Sequence, residues 1–555
     1  MTNAARRALF LRVTRLSALA GAARMLPVLP LLSAPLASAA DETPIDVLIA
    51  GSGLAGLAAA VAARESGARR VVVLEKLPVA GGHGLVSSGS FAAALPDARD
   101  ATEEATAAQR RLETLEAVVA AELSAYRPSD AAVESFYRDM LEAGGDTVKP
   151  ELARKVARES WDALCWLAAL GVDWSPEVFQ AVGSPARRNV STGSSQAGLD
   201  YVRALMRRAR ALGVEIRFET EALEIVRTPD GRAAGLKMRQ QSVLNPTTAD
   251  EANTPDPSTQ RLAHAMSEPN AAEREKRAPE NVRIIPARAV VLATGGFGAN
   301  LAMRRRFAPD VPARFATTAN PTGNMFDGAT GDGIRMAEAL GAGLIGMADI
   351  QIMPYSGGRL LNFVGGEIWL NAEGRRFART GLLFRELRGE ILKQPEGIMW
   401  ALSDSSTPKG ATLGTKLDQG IVQRANSLEE AAFGMKMRAD VLKQTIDDWN
   451  RAVDRGWDDV FNVPLIGTRI EEPPFYYGLE RFSVHYTSGG IEIDTRAAVL
   501  DRSGRPIEGL FAAGETTGGV HGHDRIGGAS ITDCIVFGRT AGRSAAHFAM
   551  RNTDR

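Results

Sequence analysis

Two glycine-rich runs hold the residues best suited to chemistry. The first is Gly51-Ser52-Gly53-Leu54-Ala55-Gly56, which follows the apolar run Val47-Leu-Ile-Ala50 and precedes Glu75 by nineteen residues counted from Gly56. Gly51 allows a tight turn, Gly53 lets the backbone approach a pyrophosphate, and Gly56 lets a helix lie close on the strand with its first N–H groups facing phosphate. Glu75, at the end of a second apolar run (Val71 to Leu74), would accept hydrogen bonds from a ribose hydroxyl and repel a 2′-phosphate. The spacing predicts a βαβ dinucleotide-binding unit. In the second run, His521-Gly-His523-Asp524-Arg525-Ile-Gly527-Gly528, the guanidinium fork of Arg525 suits a carboxylate and stands just before a helix start.

Which dinucleotide is bound is decided by segments that would reach beyond a pyrophosphate. Ala289 to Ala293 reads as a buried strand ending in Thr294-Gly295-Gly296, and Gly509 to Ala513 as another ending in Gly514-Glu515, an acid suited to a polyol. Gly527-Gly528-Ala529-Ser530-Ile531 opens a helix whose first N–H groups would stabilise negative charge on the N1/C2 edge of a reduced flavin. Three separated segments converging on one cofactor favour FAD over NAD.

With these segments in this order, the chain resembles the fumarate reductase and succinate dehydrogenase flavoprotein family, most closely its soluble periplasmic flavocytochrome c branch. The resemblance runs over roughly residues 45 to 550 and is carried by Leu74-Glu75-Lys76 with Gly81-Gly82, by Ala329-Thr-Gly-Asp332-Gly333, by Gly374-Arg-Arg-Phe377, and by Gly514 to Gly528. It implies an α/β fold: a Rossmann-type FAD domain over residues 40–348 and 478–555, with an α+β capping domain over 349–477 inserted between. Gly51, Gly53, Ala55, Gly56, Glu75, Lys76, Gly81, Gly82, His83, Gly89, Ala293, Thr294, Gly295, Asp332, Glu515, Ser530 and Ile531 would then contact FAD. The resemblance assigns substrate binding to Arg525 and proton donation to a cap arginine, here Arg385, with Arg379 and Arg388 behind it. A helix-face arginine paired with Glu386 or Glu390 is the bland alternative for Arg385.

Departures from the family pattern bear on the substrate. Tyr486-Thr487-Ser488, preceded by His485, stands where fumarate reductases have His-Thr-x, and Met353-Pro354-Tyr355 stands where they have His-Pro-Thr. The acid expected next falls near Leu360. A second carboxylate would therefore lack polar partners, which disfavours fumarate and favours an unsaturated acid with one carboxylate. Met353, Tyr355, His485, Tyr486, Thr487, Arg525 and Gly528 are the expected substrate contacts, with Tyr486 also a candidate for catalysis. His83 stands where membrane-bound succinate dehydrogenases carry covalent flavin; a noncovalent neighbour of the cofactor is expected, with a covalent link as the alternative. No Cys-x-x-Cys-His occurs, so this chain matches only the flavin part of the flavocytochromes, and a separate cytochrome or quinol-linked donor is implied. Two other functions compete: an α,β-dehydrogenase of the ketosteroid type, using Tyr476, Tyr477 or Tyr486, and a noncatalytic flavin electron carrier.

Composition fits a large enzyme of two or three domains, with 555 residues and 45% hydrophobic content. Arg6-Arg7, a weakly apolar stretch and Ala37-Ser38-Ala39 read as a Tat-like export signal over residues 1–39, which predicts a periplasmic protein. That segment holds five Arg and no acid, so the remainder carries 60 basic and 66 acidic side chains, a balance that gives no reason to expect nucleic acid. Cys165 and Cys534 read as packed hydrophobes, and no set of residues has metal-ligand spacing. Helices are expected over Glu103–Glu142, Pro150–Leu170 and Lys436–Asp454. Strands are expected over Val214–Val226 and Ala233–Met238, and a polar, proline-rich insertion over residues 240–280.

Overall fold

The computed structural model describes residues 44–95, 127–175, 178–192, 198–240, 282–320, 327–354, 364–407, 413–418, 420–465 and 467–551. The expected export signal, residues 103–126 of the first expected helix, the polar insertion beyond Gln240, and Tyr355 and Leu360 lie outside the described residues.

Strand Ile45–Ala50 is buried throughout and lies between two parallel neighbours, Val71–Leu74 and Val282–Leu292. A strand covered on both faces has no polar side to display, which is why these runs are continuously apolar. The sheet extends through Glu215–Arg217 on one side and Pro506–Ala512 on the other, both parallel, and closes with the antiparallel Ala498–Leu500. A hairpin of Thr220–Arg227 and Ala233–Gln240, turning at Gly231, pairs with the first half of the long strand Val282–Leu292.

Helix Leu54–Glu65 is alanine-rich because helix Ala529–Arg551 lies almost on its backbone. A Cβ on Gly538 would stand 2.6 Å from the Ala55 carbonyl oxygen, and one on Gly542 2.1 Å from that of Ala59. Gly56 is bound by the same geometry, since its Cβ would lie 2.0 Å from the Gly51 oxygen.

A second core belongs to an antiparallel sheet of Ile368–Leu370, Met399–Ser403, Phe475–Glu480 and Val422–Ala425. Helix Ala439–Arg455 lays Leu442, Ile446 and Trp449 against it. Strands Ile350–Met353 and Ser483–Thr487 pair antiparallel where the chain enters and leaves this region.

Three sequence expectations are corrected, and the alternative for Arg385 falls. The helix expected over Glu103–Glu142 begins, within the described residues, at Asp130, where the Ser129 hydroxyl accepts the Ala132 N–H and residues 127–129 are not helical. The helix expected from Lys436 starts at Ala439, because Lys436 takes a left-handed φ of 58° and ends the preceding helix Leu428–Met435. The single strand expected over Val214–Val226 is two, Glu215–Arg217 and Thr220–Arg227, broken at Glu219 with φ 53°. Arg385 pairs with neither Glu386 nor Glu390: Glu386 accepts the Leu383 N–H, Lys393 takes Glu390, and Arg385 turns elsewhere. Both cysteines are unpaired thiols in helices, and burial pushes Cys165 up to about 12. Among the described residues no helix is long and apolar enough to cross a membrane.

Candidate active site

The glycine turn is built as its sequence requires. Gly51 has φ 100°, and a Cβ there would meet the Ala293 carbonyl oxygen at 2.3 Å. Helix Leu54–Glu65 begins at Gly53 with no side-chain cap and no acid in its first turn, so its first N–H groups are left for an anion. Gly81 donates its N–H to the Ser52 oxygen, bringing the next glycine pair over the turn. Beyond the strand Val282–Leu292, Gly295 has φ 74° and open space where a Cβ would be. Glu75 is buried and accepts from Ser52 N (2.9 Å), Ser52 Oγ (2.6 Å) and Leu77 N (2.9 Å), so it braces the turn that would approach a pyrophosphate.

Side chains around this cradle interlock across the chain. Lys76 Nζ lies 2.6 Å from Thr330 Oγ1 and 2.7 Å from Asp332 Oδ2. Burial opposes ionisation of Asp332, yet Lys76 and Arg335 hold its carboxyl below the ordinary range. Thr294 Oγ1 accepts the Gly333 N–H, and Glu515 Oε1 accepts both the N–H and the hydroxyl of Thr487. Tyr201 donates to the Gly89 oxygen at 2.6 Å. A positive-φ glycine rim, an uncapped helix start and the absence of a Cβ at the crowded points form a cradle that fits a dinucleotide.

His83 sits between two carboxylates that the sequence did not join to it. Its Nε2 is 2.7 Å from Asp327 Oδ1 and its Nδ1 3.8 Å from Glu515 Oε2. The Asp327 charge, with smaller help from Glu515, holds the imidazole well above its usual pKa against the cost of burial. Asp327 is itself fixed by the Thr317 hydroxyl at 2.5 Å and the Ala329 N–H at 2.9 Å.

The second glycine run makes a buried turn before helix Ala529–Arg551. Gly528 has φ 83°, and a Cβ there would collide with Asn189 Nδ2 at 2.3 Å. Arg525 is buried, with its guanidinium 5.1 Å from the Tyr486 ring centroid and one N–H on the Ile526 oxygen. Tyr486 also meets the His521 ring edge-on at 5.7 Å, and His521 Nε2 lies 3.4 Å from the buried Asp533. Burial, reinforced by the negative charges of Asp533 and Glu515, pushes the Tyr486 phenol well above its usual pKa, so it keeps its proton at neutral pH.

Asp524 and His523 tie this turn to its surroundings. Asp524 Oδ2 accepts the backbone N–H of Arg385 at 2.9 Å, and Oδ1 accepts from Gln351 Nε2 at 2.6 Å. His523 bridges Asp349 and Asp146, each at 2.6 Å. The Arg385 side chain is exposed and donates to the carbonyls of Ala143 and Glu142, both at 3.3 Å. A proton donor shielded from water would need this side chain to turn inward from where this structure has it.

Comparison with known proteins agrees with the geometry. A family model described as FAD binding domain matches residues 46–531. Urocanate reductase of Eggerthella lenta is 31% identical over 93% of this chain and 77% of its own length. The chain belongs to the fumarate reductase flavoprotein family. It is a FAD-dependent oxidoreductase acting on CH–CH bonds. The acrylate reductase flavoprotein subunit of Shewanella woodyi is 29% identical, covering 90% of this chain and 91% of the relative. Among solved structures, the open conformation of a flavocytochrome c3 fumarate reductase superposes with a TM-score of 0.60 at 26% identity, over 91% of this chain and 78% of that one.

Within this family frame, the structure gathers some of the expected site residues and separates others. Arg525 lies over the Tyr486 ring, Gly528 lies in the same turn, and Ser530 and Ile531 stand in the first turn of the helix that follows. Thr487 is tied to Glu515, whereas His485 faces Thr318, with Nδ1 2.8 Å from its hydroxyl. The register of the strand pair skips His485, so Gln351 is opposite Tyr486. Met353 is buried in an apolar cluster with Trp369, Phe384 and Leu387. Asp327, Gln351 and Asp524 were not found from sequence. Asp524 adjoins Arg525 in a quoted motif, but only its partners reveal its place.

Proposed function

We propose that this protein reduces the activated carbon–carbon double bond of an unsaturated acid bearing one carboxylate and an apolar or aromatic remainder. The observation that carries the reading is the buried Arg525 lying on the Tyr486 ring, in the turn that opens helix Ala529–Arg551. A guanidinium held over an aromatic ring by a cation–π contact is oriented to receive one carboxylate. The relatives named for urocanate and acrylate act on monocarboxylic enoates, which is the class this site would take.

Bound FAD, when reduced, supplies the hydride for one carbon of the double bond. The residues do the rest. Arg525 holds the substrate carboxylate and stabilises the negative charge that grows beside it. Tyr486, protonated and buried, supports that guanidinium and walls the pocket with an apolar face. Arg385 gives the proton to the second carbon, turning inward from a fixed base, since its backbone N–H is held by Asp524 next to Arg525. Both nitrogens of His83 face carboxylates, which favours a noncovalent cofactor. A separate cytochrome or quinol-linked donor delivers the electrons, in the periplasm, after export through the Arg6-Arg7 signal.

Arg385→Ala tests this reading. Flavin content should stay intact while turnover falls by about 10²–10⁴-fold, the usual scale for loss of a positioned proton donor. Turnover near that of the unmodified protein would contradict the assignment.

A further inference from the structure

We propose that Asp524 is a positioning residue that sets Arg385 relative to Arg525 by capping, from the flavin-binding part of the chain, the cap helix Phe384–Leu392. This rests on the reading of Arg385 given above. The helix has Leu383 at its N-cap, a side chain with no acceptor, so its first N–H groups need partners from elsewhere. Glu386 turns back to the Leu383 N–H, and Asp524 supplies the acceptor for Arg385 N at 2.9 Å. The donor and acceptor are 139 residues apart, and Asp524 is 2% exposed.

The second carboxylate oxygen of Asp524 fixes the other side. Gln351 Nε2 donates to Asp524 Oδ1 at 2.6 Å and to the Arg525 carbonyl oxygen at 2.8 Å. Two acceptors face that nitrogen, so the amide can stand only one way round. One carboxylate thus links the helix that carries Arg385, the strand Ile350–Met353 and the turn that carries Arg525. Burying a carboxylate is costly unless its oxygens are satisfied, and here the satisfying donors are the elements that must be aligned. Burial also pushes the Asp524 carboxyl above the ordinary range.

The test compares Asp524→Ala, Asp524→Asn, Arg385→Ala and the double variant Asp524→Ala/Arg385→Ala as flavin-loaded proteins, with kcat per bound flavin and KM for a monocarboxylic enoate. Losing a charge-assisted cap should lower kcat of Asp524→Ala by about one to two orders of magnitude with KM changed less than about threefold. The asparagine variant should fall between, because its single amide oxygen can serve Arg385 or Gln351 but not both, and its retained volume guards against misfolding. If Asp524 acts through Arg385, the double variant should be no slower than Arg385→Ala alone. A kcat within twofold of the unmodified protein, a rise in KM alone, or losses that multiply in the double variant would each overturn the inference while leaving the role of Arg385 in place. Unchanged turnover in Arg385→Ala would overturn both.

Discussion

The guanidinium of Arg525 lies 5.1 Å from the Tyr486 ring centroid, and Tyr486 stands directly across the strand pair from Gln351. The aromatic ring supplies a flat bed for a cation–π contact, beside the guanidinium N–H that the Ile526 oxygen accepts. A histidine at this position would offer a ring-nitrogen hydrogen bond in place of that bed.

Arg525→Lys should therefore lose far more than a charge-conserving change suggests, because lysine has neither the fork nor the stacking plane. We expect kcat/KM for a monocarboxylic enoate to fall by about two to three orders of magnitude with flavin retained. Tyr486→Phe keeps the bed and loses only the hydroxyl, so its kcat should stay within about tenfold. A Tyr486→Phe variant as inactive as Arg525→Lys would instead point to tyrosine acid/base work, as in an α,β-dehydrogenase.

His83 should carry no covalent flavin. Acid precipitation should release all FAD into the supernatant, and flavin fluorescence on the washed, denatured chain would contradict this.

The same histidine gives a pH dependence with a definite sign. Its folded-state pKa is raised, chiefly by Asp327, so the pair's contribution to stability is complete below the unfolded value of about 6.5 and is lost as pH rises through the folded value. Asp327 has the opposite linkage: its folded pKa is depressed, so its share is lost only in acid, below about pH 4. The Tm difference between the unmodified protein and His83→Gln should be flat from about pH 5 to 6.5 and shrink toward alkaline pH. A difference that grows with pH would remove the ion pair from the account.

Gly56→Ala should fail to retain FAD. Its Cβ would stand 2.0 Å from the Gly51 carbonyl oxygen, which forces helix Leu54–Glu65 off the strand and spoils the uncapped helix start. We expect destabilisation of about 3 kcal/mol or more, read as a large drop in Tm together with loss of flavin absorbance. Normal flavin content would show that the helix is not held where it is described.

The βαβ unit was legible because backbone crowding leaves glycine alone at positions 51 and 56, and that constraint is written locally. The continuous apolar runs of the central strands were legible for the same reason. The helix start at Ala439 was not, since the apolar period runs on past Lys436 and only the left-handed turn at that residue ends one helix before the next. The polar network of the site was least legible. His83 and Asp327 are 244 residues apart, Gln351 and Asp524 173, and Asp146 and His523 377, so no local pattern joins them. The sequence offers Arg385 as a candidate beside Arg379 and Arg388, but its exposed side chain and its backbone tie to Asp524 depend on tertiary packing.

The most direct test of the account is the rate at which the chemically reduced protein is reoxidised anaerobically, with reduced viologen as the sustaining donor, by fumarate and by a set of monocarboxylic enoates of acrylate and cinnamate type. Stranding a second carboxylate without polar partners should cost several kcal/mol, so the best monocarboxylic acid should exceed fumarate in kcat/KM by about two orders of magnitude or more. Fumarate as the best substrate, or no reoxidation by any enoate, would contradict it.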